Sequence, residues 1–185
     1  MLRRWSFAGI IAMLAGVLVL HVGVSMASRK SKGACAGANT VPVDDATRRQ
    51  ATVAVLCLVN RLRARHRMRP VRASFGLTVA ALQHSGDMVQ RRYFSHDGPG
   101  GDTLDTRARR SGYIRMHRRF AISEAIAWGM RATPRSLVRT LKNSPPHREI
   151  LLDRDQHDVG IGLSIGAPVT GVQTSSATLV LAFGH

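Results

Sequence analysis

The sequence predicts an α/β protein in which strands with period-two patterning pack against amphipathic helices. Two such strands lie near the end of the chain: residues 159–165, where apolar residues alternate with glycine and serine, and residues 179–183. The stretch between them is rich in Gly, Pro, Thr and Ser, which favours a paired arrangement. Helical patterns precede both strands, so the expected fold is built in layers.

Three helices are predicted from apolar residues at intervals of three and four. The first is expected to end at Pro70, and a second contains His84 on its apolar face, where we interpret it as a core histidine. The third begins at Thr133-Pro134, an N-cap followed by proline at the first helical position. The apolar positions of the first two helices are Ala51, Val55, Leu58, Val59 and Leu62, then Leu77, Ala80, Ala81 and Met88.

The N-terminal segment has the pattern of a secretory signal. Arg3 and Arg4 precede an apolar run over residues 7–24, and small residues follow at the positions that a signal peptidase requires. We predict a signal peptide over residues 1–27, with an uncleaved membrane anchor as the alternative because a run of eighteen residues, apolar except for His21, can also span a bilayer. A linker at 28–45 and one domain at 46–185 follow, and the domain is expected to be secreted or otherwise extracytoplasmic.

The chain is strongly basic. It carries 27 Lys and Arg against 11 Asp and Glu, a formal net charge of +16. Such a surface is attracted to polyanions, so an anionic cell-wall or membrane surface is an expected partner. Aromatic residues make up only 5% of the chain, and no nucleic-acid-binding motif accompanies the charge, so specific nucleic-acid binding is not expected.

The two cysteines, Cys35 and Cys57, are predicted to form a disulfide because an extracytoplasmic compartment is oxidising. It would close a loop of about 20 residues and pin the linker to the first helix. A thiol-based active site and two free buried thiols are the alternatives. The sequence has no Cys-x-x-Cys motif, which disfavours the first of these.

Glu124 interrupts an apolar pattern. Residues 120, 122, 124, 126 and 128 share one parity, and all but Glu124 are apolar, so an extended chain would project the carboxylate from an apolar face. An ionised carboxylate in such a place needs a cation or several hydrogen-bond donors. Two interpretations stay open: a functional acid, and a structural Glu satisfied by backbone N–H groups or arginine.

His96 and His147 are the candidate imidazoles. Ser144 as N-cap and Pro145 as the first helical residue place His147 in the first turn of a short helix, where the helix dipole favours a neutral ring. His96 precedes a turn-rich loop at the mouth of a helix. A neutral imidazole is a common metal ligand. The alternative for His147 is a residue that only caps the turn.

The order of these segments resembles the CAP superfamily of cysteine-rich secretory, antigen 5 and pathogenesis-related proteins, and its secreted bacterial branch in particular. The resemblance rests on six motifs in sequence. They are Asn-Arg-x-Arg at 60–63, Phe-Ser-His at 94–96, Arg107 with Gly-Tyr at 112–113, the Glu segment at 123–129, Ser-Pro-Pro-His-Arg at 144–148, and Val-Gly-Ile-Gly at 159–162.

The resemblance implies a three-layer α-β-α sandwich. It also implies a cleft in which animal and plant members hold two His and two Glu. Three of those positions match His96, Glu124 and His147, while Ser144 replaces the second Glu, as in bacterial relatives. Arg107 and Arg148 belong to matched segments and are expected near the site.

Three functions are consistent with this chain. The favoured one is an extracytoplasmic CAP-domain protein whose His/Glu cleft binds a small ligand or a divalent cation such as Zn²⁺, without catalysis. The second is a metal-assisted hydrolase of peptide or cell-wall material, with Glu124 as the base. The third is a basic adhesion module that binds anionic polymers or lipids.

Overall fold

The structure is a computed structural model that describes residues 34–116, 120–172 and 175–185. The signal peptide or anchor predicted at residues 1–27 lies outside this range and remains a prediction. Within the described residues, no helix combines the length and the apolar character needed to cross a membrane.

Six helices and four strands are found in the described part of the chain. Their order is α1 (Asp45–Arg65), β1 (Arg72–Ala73), α2 (Phe75–Arg91), α3 (Leu104–Arg110), α4 (Tyr113–Met116), β2 (Ile122–Met130), α5 (Pro134–Asn143), α6 (Pro145–Leu151), β3 (Asp158–Ile165) and β4 (Ser176–Gly184). The strands form one sheet in the order β1-β3-β4-β2. β4 pairs antiparallel with both neighbours, and the short β1 pairs parallel with β3.

Helices cover both faces of the sheet. On one face, apolar side chains of α1, α5 and α6 pack against residues such as Ala125 and Leu181. On the other, α2, α3 and α4 pack against Ile126, Val180 and Ala182. Because every residue of β4 is buried, this strand lies in the centre of both cores. The predicted three-layer α/β sandwich is confirmed, as is the pairing of the two strands near the end of the chain.

The predicted helices are present with shifted bounds. A capping box at Asp44 starts α1. The helix ends at Arg65, five residues before Pro70, and Arg67 then adopts a left-handed backbone with φ of 56°. Thr133 caps α5 as predicted, with Pro134 in its first turn. The short helices α3 and α4 were not predicted, since a polar seven-residue segment carries little apolar periodicity.

The glycines of β3 let α2 lie directly on the sheet. A Cβ added at Gly160 would come 2.0 Å from the backbone carbon of Leu77, and one at Gly162 would come 2.1 Å from that of Ala81. The Val-Gly-Ile-Gly motif therefore has a packing role: its apolar members face α1, and its glycines admit the α2 backbone.

The predicted disulfide is confirmed. Cys35 and Cys57 are bonded, with their Cα atoms 5.7 Å apart. Cys35 and Ala38 are buried against Ala54 of α1, so the segment before α1 packs on this helix as a small cluster of its own.

Candidate functional site

Glu124 lies on β2 and faces the α2 layer, where only 7% of the residue is exposed. Both of its carboxylate oxygens are engaged. Oε1 accepts a hydrogen bond from His96 Nδ1 at 2.9 Å, and Oε2 accepts one from Arg107 Nη2 at 2.9 Å. The projection from an apolar strand face is as predicted, and a guanidinium and an imidazole are what make that burial tolerable.

Arg107 lies on α3 and is fully buried. Besides Glu124, its guanidinium donates to the backbone carbonyl of His96 at 3.0 Å and to the backbone carbonyl of Asp102. Arg107 therefore fixes both the carboxylate and the loop that carries His96. The sequence predicts Arg107 only near the site, whereas the structure shows it hydrogen-bonded directly to Glu124.

His96 follows α2 and keeps about half of its side chain in solvent, with 54% of the side-chain surface exposed. The hydrogen bond from its ring to Glu124 raises the pKa of His96 above the usual range, against the opposing effect of partial burial. Because Nδ1 is directed at the carboxylate, Nε2 is the nitrogen left for an external partner.

His147 lies in the first turn of α6, as predicted, and approaches His96 with 6.4 Å between ring centroids. Its Nδ1 is 3.0 Å from the Ser144 hydroxyl. Ser144 occupies the N-cap position, but its hydroxyl bonds this ring instead of capping the helix backbone. Burial, and secondarily the charge of His96, lowers the pKa of His147. The ring is thus biased toward neutrality, in the direction that the sequence predicts.

A third histidine, His84, lies close to Glu124 and is not predicted near the site from the sequence. His84 on α2 is fully buried, and its Nε2 lies 2.9 Å from the Ser95 carbonyl and 3.8 Å from Glu124 Oε1. Burial lowers the pKa of His84. The hydroxyl of Tyr93 lies 3.4 Å from His84 Nδ1 and donates to Asp87 at 2.5 Å. The core placement is confirmed, whereas no sequence pattern indicates that α2 brings this ring to Glu124.

Arg148 and Ser123 lie next to the site in sequence but line a separate cavity. They line a cavity of about 500 Å³ together with residues of α6. Within the described ranges, no hydrogen bond or ion pair joins Arg148 to His96, Glu124 or His147. Arg148 is therefore close in sequence to the site without taking part in its hydrogen bonding.

The geometry limits how a metal could be held. Among the described residues, no group of three His, Cys, Asp or Glu side chains is placed to bind an ion. The expected set of His96, Glu124 and His147 is not arranged as three ligands: the Glu124 side chain is only 3% exposed, and its oxygens point to His96 and Arg107. The residues fit a smaller role: two imidazoles that present Nε2, with Glu124 orienting one ring and Ser144 the other, as partners of metal-bound histidines often do.

An α-β-α sandwich with a buried carboxylate, bonded to one of two neighbouring imidazoles, defines the class of protein. Residues 56–177 match the family described as the cysteine-rich secretory protein family, or CAP. Since the match spans more than half of the 185 residues, the chain belongs to the CAP family. No curated protein matches the chain.

Three bacterial proteins of solved structure are similar to this chain. An extracellular protein with an SCP domain from Bacillus anthracis aligns with a TM-score of 0.61 and 24% identity, covering 77% of this chain and 44% of that one. An outer surface protein from Borrelia burgdorferi gives 0.57 and 19% identity, covering 70% and 88%. A cysteine-rich secretory protein from Staphylococcus aureus gives 0.50 and 13% identity, covering 76% and 40%. At sequence identities below 25%, similarity to these structures supports the assignment of the fold alone.

Proposed function

We propose that this chain is an extracytoplasmic CAP-domain protein that binds a small ligand or a divalent cation between His96 and His147, without catalysis. The observation that carries the proposal is the fixing of both rings through Nδ1, one by Glu124 and the other by Ser144. Two pre-oriented imidazoles whose ring centroids lie 6.4 Å apart leave Nε2 of each ring for a shared partner.

The extracytoplasmic part of the proposal has separate support. The chain contains a disulfide, which persists in oxidising compartments. The similar Bacillus protein is described as extracellular and the Borrelia protein as an outer surface protein. The predicted leader agrees with this location.

A zinc titration by calorimetry on the full chain tests the site. We expect binding that is lost in His96→Ala and in His147→Ala and unchanged in His66→Ala. His66 is a matched control because it is an exposed histidine at the end of α1 with no side-chain hydrogen bond to the site among the described residues. Glu124→Gln should weaken affinity by about 10- to 100-fold without abolishing binding, since Glu124 orients a ligand instead of being one.

The opposite result is equally clear. If the wild-type chain and all three His variants bind zinc with the same affinity, or none binds it, the paired imidazoles are not a metal site. A screen of small anionic and polar ligands against the same variants then tests the rest of the proposal. A ligand that binds wild type, His96→Ala and His147→Ala with equal affinity would contradict it.

The hydrolase alternative gains no support from the geometry. A general base must reach the proton that it takes, whereas the Glu124 side chain is only 3% exposed and its oxygens point to His96 and Arg107. Turnover of a peptide or cell-wall substrate that Glu124→Gln abolishes would be the observation that restores this alternative.

A further inference from the structure

A cavity of about 230 Å³ lies between α1 and α5, in the helical layer opposite the one that Glu124 faces. We call it the α1–α5 groove. Its rim carries five cationic side chains, Arg61 and Arg65 from α1 and Arg135, Arg139 and Lys142 from α5. Leu58, Leu62 and Val138 form its floor.

The positive charge of the α1–α5 groove is not neutralised by the chain itself. Among the described residues, none of the five cations forms an ion pair with a carboxylate, whereas other arginines such as Arg107 and Arg109 do. α5 contains no acidic residue, and the only one in α1 is Asp45. Asp45 is sixteen positions before Arg61, about 24 Å along a helix at 1.5 Å per residue.

The cations of the α1–α5 groove come from two helices that pack against each other. Arg61 and Arg65 are four residues apart on α1, and Arg135 and Arg139 are four apart on α5, so each pair lies on one face of its helix. Five like charges around one small cavity repel one another, which is a cost to folding that a bound anion would remove.

One of these arginines is held in place by the segment that the disulfide anchors. Arg135 Nε donates to Asn39 Oδ1 at 2.7 Å, and the backbone N–H of Arg135 donates to the Ala38 carbonyl at 2.9 Å. Cys35, three residues before Ala38, is bonded to Cys57 of α1. The Nε contact orients the guanidinium and leaves its Nη groups for another acceptor, which is how a binding arginine is pre-organised.

We propose that the α1–α5 groove binds a compact anion that carries at least two phosphate groups. Guanidinium groups match phosphate oxygens in a bidentate manner, and four of the five cations are arginine. The volume is below the roughly 300–1,000 Å³ of sites for drug-sized ligands, so the groove suits a headgroup-sized anion. The rim has no aromatic residue on which a nucleic-acid base could stack. This site is separate from the cleft at His96 and His147.

A soluble phosphate ester and a lipid headgroup share this chemistry, and two probes distinguish them. The first is inorganic pyrophosphate, titrated into the full chain by calorimetry at low salt. The second is phosphatidylcholine vesicles with and without cardiolipin, whose headgroup has two phosphates, assayed by co-sedimentation. Pyrophosphate binding indicates a soluble ester, and binding only to cardiolipin vesicles indicates a headgroup.

A charge-matched pair of variants separates the groove from the general basicity of the chain. Arg61→Gln with Arg139→Gln removes two rim charges. Arg49→Gln with Arg154→Gln removes two charges from exposed arginines outside the groove that form no ion pair among the described residues. The leader is identical in both, so any membrane affinity of its own cancels in the comparison.

We expect the rim variant to lose at least about tenfold in affinity for the bound probe, and the control variant less than about threefold. Equal losses would show that net charge alone attracts the anion, and would overturn the proposal. So would an absence of binding to both probes by the wild-type chain. Circular dichroism confirms that each variant is folded, and His96→Ala with His147→Ala should leave this binding unchanged, so the two proposed sites can fail independently.

Discussion

At the scale of single residues, the carboxylate of Glu124 depends on two cationic partners of different kinds. The guanidinium of Arg107 is permanently charged and fully buried, whereas the imidazole of His96 is half in solvent and titrates. The buried partner supplies a counter-charge to the carboxylate that does not change with pH, and the exposed partner makes the outer half of the site respond to pH.

Arg107→Ala should therefore be strongly destabilising. It leaves Glu124 without its buried counter-charge and frees the His96 and Asp102 carbonyls, so we expect a loss of about 3–5 kcal/mol in the free energy of unfolding. Arg109→Ala is the control on the same helix. Its ion pair with Asp105 is exposed, so the loss should be small compared with that of Arg107→Ala. Urea denaturation measures both, and similar losses would refute the assigned role of Arg107.

The pKa of His96 should lie above its usual range of about 6.5 in the metal-free chain, because the charged ring is bonded to Glu124. Since the folded state raises this pKa, the contribution to stability is complete below about pH 6.5 and disappears as pH rises through the higher folded value. Titration by NMR in the presence of a chelator measures it. Glu124→Gln should lower the pKa of His96, and an unchanged value in that variant would contradict the proposed pairing.

At the scale of helices and strands, α2 packs closely on β3 because two residues of β3 are glycines without side chains. Gly160 and Gly162 have α2 backbone atoms where a Cβ would lie, which brings His84 and the start of the His96 loop close to the sheet. The glycines thus control how deeply α2 sits, and through α2 the position of the imidazole that meets Glu124.

Gly160→Ala should cost about 3 kcal/mol or more in the free energy of unfolding, since the new methyl meets backbone that cannot turn away. Gly86→Ala is the matched control. Gly86 lies inside α2, and an added Cβ would have its nearest neighbour at 3.8 Å, so this change should stabilise by about 0.4–1 kcal/mol. Thermal unfolding of both variants checks the sign, and a Gly160→Ala protein as stable as wild type would refute the packing role.

The elements that sequence patterns predict are those with strong periodicity. The apolar spacing of α1 and α2, the proline start of α5 and the alternation of β3 all survive in the structure. α3 escaped prediction because its seven residues are mostly polar, yet it supplies Arg107. The contact of His84 with Glu124 could not be inferred either, because forty residues and the strand order intervene.

At the scale of the whole molecule, the imidazole site draws on both helical layers, since His147 lies on α6, which packs on the same face of the sheet as α1 and α5. Glu124 faces the α2 layer, and the α1–α5 groove lies in the other. The disulfide belongs to the groove side, where it attaches the segment before α1. Its loss should therefore affect global stability and the groove more than the imidazole pair.

Cys35→Ala with Cys57→Ala should lower the free energy of unfolding by about 3 kcal/mol, from the loop entropy of a cross-link between residues 22 apart. Cys57→Ala alone should cost about the same, because one thiol cannot form the bond. Denaturation with and without reductant measures the effect. If reduction leaves the midpoint of wild type unchanged, the bond does not contribute to stability.

The central position of β4 has a consequence for how the protein folds. The strands on either side of it, β2 and β3, pair with β4 and not with each other. Until residues 176–184 pair as β4, a partly folded chain exposes the unpaired edges of β2 and β3. Exposed apolar strand edges pair with other chains and cause aggregation. We therefore expect a chain shortened before Ser176 to aggregate, whereas a chain shortened at the other end, before Asp44, keeps the whole sheet.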